Sequence, residues 1–174
     1  MEFQNHLSKR SLINLTKKIL SSIKERDYKT LSQFVHPQEG FRFSLYAYID
    51  TTTDRILSRK KIIELGGNQK FIRWGIEDAS GKPLNLSINN YFKRFVYDVD
   101  FLNAEKQAVN KFLAGGTSLN NLKEIYSGSD FTEFYFSGFD PKYEGMDWRA
   151  LRLVFKVYNK KMYLVGIVHD QWTI

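Results

Sequence analysis

At 174 residues, with 43% apolar and 26% charged residues, the chain has the length and balance of one globular domain, not of a disordered, collagenous or rod-like protein. It contains no cysteine, which excludes disulfides, thiolate catalysis and thiolate-bound zinc or iron–sulfur centres. The net charge is +7, and aromatic residues reach 16%, an enrichment that points to a large core or an aromatic-lined pocket.

Residues 1–7 are expected to be a flexible tail. Leu12, Leu15, Ile19 and Ile23 recur at three- and four-residue spacing, which predicts a helix over residues 8–26 with one buried face. Lys9, Arg10, Lys17, Lys18, Lys24, Arg26 and Lys29 outweigh Glu2, Glu25 and Asp27 here, so more than half of the net charge lies in residues 1–30. These basic residues flank an apolar stripe. They read as a solvated helix face, with an anionic membrane surface as the alternative partner; a nucleic-acid partner is not expected, because no recognition motif accompanies them. The opening residues lack an apolar stretch followed by a small-residue cleavage site, so they do not read as a signal peptide, and no apolar run is long enough to predict a membrane-spanning helix.

Asp27 is positioned to cap a short second helix, which His36-Pro37 ends. Residues 41–50 alternate: Phe41, Phe43, Leu45, Ala47 and Ile49 on one side, Arg42, Ser44, Tyr46, Tyr48 and Asp50 on the other, which predicts a half-buried strand. Thr51 to Asp54 are expected to form a loop. Ser58 caps a third helix, closed by Gly66-Gly67. A strand over 70–78, a turn, a short strand at Leu84 and Leu86, and a helix capped by Ser87 follow. Residues 104–113, 131–137, 148–158 and 161–169 are further strands, the last two joined by a tight turn at Asn159-Lys160; Gly115 to Gly128 are a long loop. The expectation is a single domain over 1–174 of α+β class, with N-terminal helices packed on a strongly curved, mostly antiparallel, cone-like sheet.

Polar residues cluster so that the cone could hold a ligand. Arg42, Tyr46, Tyr48, Trp74 and Arg152 are the candidate ligand-binding residues, because an arginine ringed by tyrosine and tryptophan fixes a small polar or anionic molecule. The competing reading is packing and structural ion pairing. Asp98, Asp100, Glu133 and His169 are the candidate catalytic residues. Asp98 and Asp100 share a face if extended, which would raise one carboxyl through the other's charge; the alternative is capping, or pairing with Lys93 and Arg94. His169 cannot be oriented by its neighbour Asp170 on a regular strand, so a structural histidine competes with an acid–base role. His36 is expected to contact a carbonyl at a helix end. Neither HxH, HExxH, a P-loop, GxGxxG nor GxSxG occurs, and no metal or cofactor is expected.

The segments ILSSIKERDYKTLSQFVHP and MDWRALRLVFKVYNKKMYLVGIVHDQWTI, in this order and with these helix and strand lengths, resemble the nuclear-transport-factor-2-like superfamily, the cystatin-like α+β cone. The blocks RFSLYAYID, FVYDVDF, MDWRALRLVF and YLVGIVHDQWTI also resemble an uncharacterised bacterial domain of exported or lipid-anchored proteins. The resemblance covers most of the chain from about residue 12. It implies a fold that hosts isomerases, cyclases, dehydratases and non-catalytic binding or dimerisation modules, and it implies an exported or cell-envelope location. A ketosteroid-isomerase-like member uses a carboxylate base with a tyrosine and a protonated carboxyl. Tyr46, Tyr48, Asp98 and Glu133 are of the right types, but no position matches that pattern. The expected function is a non-catalytic small-ligand- or partner-binding domain. The alternatives are a small-molecule isomerase or lyase using a pocket carboxylate and a tyrosine, and a membrane-surface accessory protein. Pairing of two copies through the sheet is a further expectation.

Overall fold

The structure is a computed structural model that describes residues 7–115 and 119–172. Most of the expected N-terminal tail, residues 1–6, therefore lies outside the described residues, as do residues 116–118 of the long loop.

Helix α1 spans Lys9–Lys24, capped by Ser8, and buries Leu12, Thr16, Ile19, Leu20 and Ile23. Asp27 accepts the Thr30 N–H and starts α2, Tyr28–Phe34. Strand β1, Phe41–Ser44, is followed by β2, Arg55–Leu57, and α3, Arg59–Asn68. Next come β3, Ile72–Ile76, β4, Pro83–Leu86, and α4, Ile88–Phe95. The second half holds β5, Lys106–Val109, the one-turn α5, Leu122–Ile125, and β6, Asp130–Phe136. It closes on the long hairpin of β7, Arg149–Tyr158, and β8, Lys161–Gln171.

Six strands form one sheet in the order β2-β1-β8-β7-β6-β5, and β3 pairs only with β4. All pairings in the large sheet are antiparallel except β1 with β8. The class is α+β, and the sheet is curled but not closed. Asn159 and Lys160 both adopt the left-handed conformation, at φ 48° and 63°, which matches the right-handed twist of the strands they join.

Three expectations from the sequence give way to local chemistry. The strand expected over 41–50 stops at Ser44, because the Ser44 hydroxyl donates to the carbonyls of Tyr46 and Tyr48 and folds the chain back on itself. Asn110 ends β5: it adopts φ 56°, and its amide bonds both Asp130 and the Phe131 N–H. Gly66 and Gly67 do not close α3, which runs on to Asn68 and is capped by left-handed Gln69. Gly66 is a helical residue chosen for space, since a Cβ there would lie 2.3 Å from the Tyr28 ring. Strand β2 was not anticipated: its burial pattern shows no alternation, and β1 alone gives it a partner.

The sheet has two different faces. Phe41, Phe43, Phe134, Leu151, Leu153, Phe155 and Ile167 face the helices and share the main core with Trp74, Tyr91 and Phe92. Alternate residues point the other way. There Phe131, Val154 and Val168 pack with Leu122, Tyr126 and Phe112, so the segment after β5 straps across the outer face. The cone is filled. Phe43 meets Trp74, Tyr91 and Phe92 at ring separations of 5.1, 5.6 and 5.7 Å, and Trp74 stacks on Tyr91 at 4.0 Å.

Candidate functional site

The five candidate binding residues do not converge. Trp74 is wholly buried and donates its indole N–H to the Leu86 carbonyl, so it is a core residue. Arg152 lies on the outer sheet face and is also wholly buried. It donates to Glu133 at 2.7 Å and to Asp170 at 2.8 Å, while its guanidinium carbon stands 5.0 Å from the Phe112 ring centre. Glu133 in turn accepts the N–H groups of Leu113 and Ala114, which pins the strap. This cluster is an internal anchor, and both Glu133 oxygens already accept hydrogen bonds, so Glu133 is not a free base.

The remaining catalytic candidates also have structural partners. His169 is wholly buried on the helix side of the sheet, its Nε2 3.0 Å from Asp98. The other oxygen of Asp98 accepts from Arg149 at 2.9 Å. Burial raises the Asp98 carboxyl, but the His169 and Arg149 contacts outweigh it and hold the group below its ordinary value. Asp170 points to the opposite face, as strand alternation requires. Asp100 is held low by Tyr97, Asn103 and Lys24. Asp98 and Asp100 thus do not raise one another, and neither meets Lys93 or Arg94; Arg94 pairs with Glu77 instead. His36 caps differently from expectation: its Nδ1 accepts the N–H groups of Gln38 and Glu39, not a carbonyl contact.

Tyr46 and Tyr48 do meet a cleft. It has a volume of about 230 Å³ and is bounded by Leu45, Tyr46, Tyr48, Asp50, Thr53, Asp54, Ile76 and Asp78. It lies where the folded-back segment after β1 meets the β3–β4 hairpin, and it is more enclosed than the clefts beside Trp172, Lys156 and Lys9. Arg42 belongs to the second of those, with Glu39, Tyr126 and Lys156, and so lies apart from Tyr46 and Tyr48. The basic residues of α1 form an exposed face; Lys24 is paired with Asp100 there.

The cleft is built by short-range rules. Asp50 accepts N–H and O–H groups of Thr52 and Thr53, a tight aspartate turn that holds its carboxyl down at about 2. The turn brings the Asp50 N–H to Asp54 Oδ2 at 3.0 Å. Burial pushes the Asp54 carboxyl up to about 7, against the Ser44 hydroxyl, the Asp50 N–H and the Arg42 guanidinium, which pull it down. Burial also raises the Tyr46 phenol, whose oxygen accepts the Asp78 N–H at 3.3 Å. Tyr91 on α4 is not among the residues that line the cleft. It is wholly buried, and its hydroxyl has no hydrogen-bond partner among the described residues. The titratable groups that act on that hydroxyl are Asp54 and Tyr46. Asp54 and Tyr91 are the residues that sequence reasoning missed. The TTTD run signalled a loop but not that its last carboxyl turns inward.

No family model and no curated protein matches this chain. Solved structures similar to it include a designed nuclear-transport-factor-2 protein, 13% identical, with a TM-score of 0.36, over 92% of this chain and 96% of that one. Another is a Xanthomonas campestris protein described as a calcium/calmodulin dependent protein kinase II association domain, 12% identical, with a TM-score of 0.39, over 98% of this chain and 96% of that one. Among the described residues, no group of three or more His, Asp or Glu side chains is arranged to hold a metal ion, and no helix is long and apolar enough to cross a membrane.

Proposed function

We propose that this chain is a small-molecule-binding domain whose site is the cleft over Asp54. The observation that carries the reading is the Asp54 carboxyl, pushed up by burial and set into a cleft walled by apolar and aromatic side chains. Ligand sites combine apolar walls with a few placed polar groups. Leu45 and Ile76 give the apolar wall, and Tyr46 and Tyr48 give aromatic surface. The expected aromatic and polar pocket is thus proposed at the rim of the fold, because the cone itself is packed with side chains.

The test is an amide-resolved titration of the protein with a set of small fragments. Binding is expected to move the amide signals of Tyr46, Ile76 and Asp78, and Ile76→Trp, which fills the cleft, is expected to abolish those shifts while leaving the rest of the spectrum in place. Shifts confined to the surroundings of Arg149 and Trp172 would sink the reading.

A second reading rests on the same carboxyl. A group titrating near 7 can take and return a proton at neutral pH, which an isomerase or lyase requires. Exchange of an acidic C–H of a small carbonyl compound with deuterium from the solvent, dependent on Asp54, would support it; equal exchange in Asp54→Asn would reject it.

A further inference from the structure

We infer that the cleft between Arg42 and Tyr126 is a second binding site, and that it takes a small aliphatic carboxylate. The cleft has a volume of about 340 Å³ and shares no lining residue with the one over Asp54. Arg42 and Lys156 are its cations, Glu39 is its carboxylate, and Ile56, Ile125 and Val165 are its apolar walls.

The strands and the strap build it. Phe41 and Phe43 face the helices, so Arg42 between them leaves the opposite face of β1. Across the parallel pairing its neighbour is Gly166. A Cβ there would lie 2.8 Å from the Tyr126 oxygen, so the glycine lets the phenol of the strap approach β8 beside the arginine. The Tyr126 hydroxyl donates to the Val165 carbonyl at 3.3 Å, which fixes that side of the cleft.

The guanidinium is the sign of a ligand. Arg94, Arg149 and Arg152 pair with carboxylates, and Arg26, Arg55 and Arg59 donate to main-chain carbonyls. Arg42 makes no ion pair among the described residues, and its Nη1 is buried without a hydrogen-bond partner. The titratable groups that feel it do not supply a full counter-charge. Burial pushes the Tyr126 phenol up to about 12, so it stays neutral, and the Asp54 carboxyl, at about 7, is half protonated at neutral pH. Lys156 is already matched by Glu39 at 2.8 Å, which leaves the charge of Arg42 in excess. A partly desolvated cation without an acceptor is costly, and an anion in this cleft removes the cost. The two oxygens of a carboxylate match the paired N–H groups of a guanidinium. One excess charge suits a monoanion better than a phosphate dianion, and the apolar walls suit a short alkyl tail. The volume stands at the lower end of the roughly 300–1,000 Å³ of small-molecule sites.

Butyrate, butyramide and n-butylammonium, alike in shape and different in charge, decide the matter when titrated into the full chain at constant ionic strength and followed by the amide signals of Ile125, Tyr126 and Val165. Butyrate is expected to bind at least tenfold more tightly than butyramide, and butylammonium is expected not to bind. Acetate, which reaches less of the walls, and inorganic phosphate are each expected to bind severalfold more weakly than butyrate. Arg42→Gln is expected to weaken butyrate at least tenfold and to leave butyramide unchanged; an equal loss for both would overturn the ion-pairing role. Equal or tighter binding of butyramide, butylammonium or phosphate at those amides overturns the carboxylate assignment, as does an absence of shifts there with butyrate. Butyrate shifts confined to Tyr46, Ile76 and Asp78 overturn it too. The reading of the Asp54 cleft is tested at those three amides and stands or falls separately. The comparison of probes on the unmodified chain needs no variant to fold.

Discussion

Glu133 and Arg152 lie opposite one another on β6 and β7, their side chains 2.7 Å apart and both sealed from solvent. With Asp170 they form a buried acidic–basic–acidic cluster beneath the strap that carries Phe112, Leu113 and Ala114. Removing only the arginine leaves carboxylates buried without a counter-charge. Arg152→Met is therefore expected to cost about 3–5 kcal/mol in urea unfolding. The triple variant Glu133→Gln, Arg152→Met, Asp170→Asn is expected to lose less than Arg152→Met alone, because the charges leave together. A larger loss in the triple variant would refute the electrostatic account.

Asp98 ties the chain after α4 to β7 and β8 through Arg149 and His169. Its carboxyl is depressed in the folded state, so its contribution is present above the ordinary aspartate range and is lost as pH falls through the folded value. Asp98→Asn should destabilise the protein by about 2 kcal/mol at pH 7. The gap between the variant and the original chain should close as the pH is lowered below about 4, near the ordinary aspartate value. Urea midpoints across that range measure it; a gap independent of pH would show that the contacts matter only as neutral hydrogen bonds.

Asp54 has the opposite sign. Its folded value, about 7, lies above its unfolded one, so the folded state binds the extra proton and stability falls as pH rises between the two. Asp54→Asn removes this penalty. The variant is expected to be more stable than the original by roughly 1–3 kcal/mol at pH 8, with little difference at pH 4. Thermal melts at the two values check it, and a constant difference would argue against a buried carboxyl.

Adjacent glycines in α3 should respond oppositely to alanine. A Cβ at Gly66 lies 2.3 Å from the Tyr28 ring, whereas one at Gly67 meets nothing within 4 Å. Gly67→Ala is expected to stabilise by about 0.5–1 kcal/mol through helix propensity. Gly66→Ala should destabilise by about 1–3 kcal/mol, since the ring must move. Calorimetric midpoints for the pair measure packing against propensity at neighbouring positions.

Much of this architecture was legible in the residues. The spacing of Leu12, Leu15, Ile19 and Ile23 marked the buried side of α1, because a helix repeats every 3.6 residues whatever it packs against, although Leu15 lies at its half-buried edge and Thr16 is inside. Asp27, Ser58 and Ser87 marked helix starts by a chemistry confined to a few neighbouring residues. Alternation on β6 to β8 sorted side chains onto two faces, and it showed that Asp170 could not serve His169. What alternation could not supply was which face the helices cover. That choice turned Arg42, Glu133 and Arg152 from cone lining into an outer layer under the strap, because the helices bury the phenylalanine-rich side. Nor could it reveal partners distant in sequence. His169 meets Asp98 across 71 positions, and Asp54 becomes a cleft carboxyl only when Ile76 of β3 and Asp78 close over it. Local pattern sets conformation and facing, while burial, and with it the ionisation of Asp54 and the isolation of the Tyr91 hydroxyl, is a property of the packed whole.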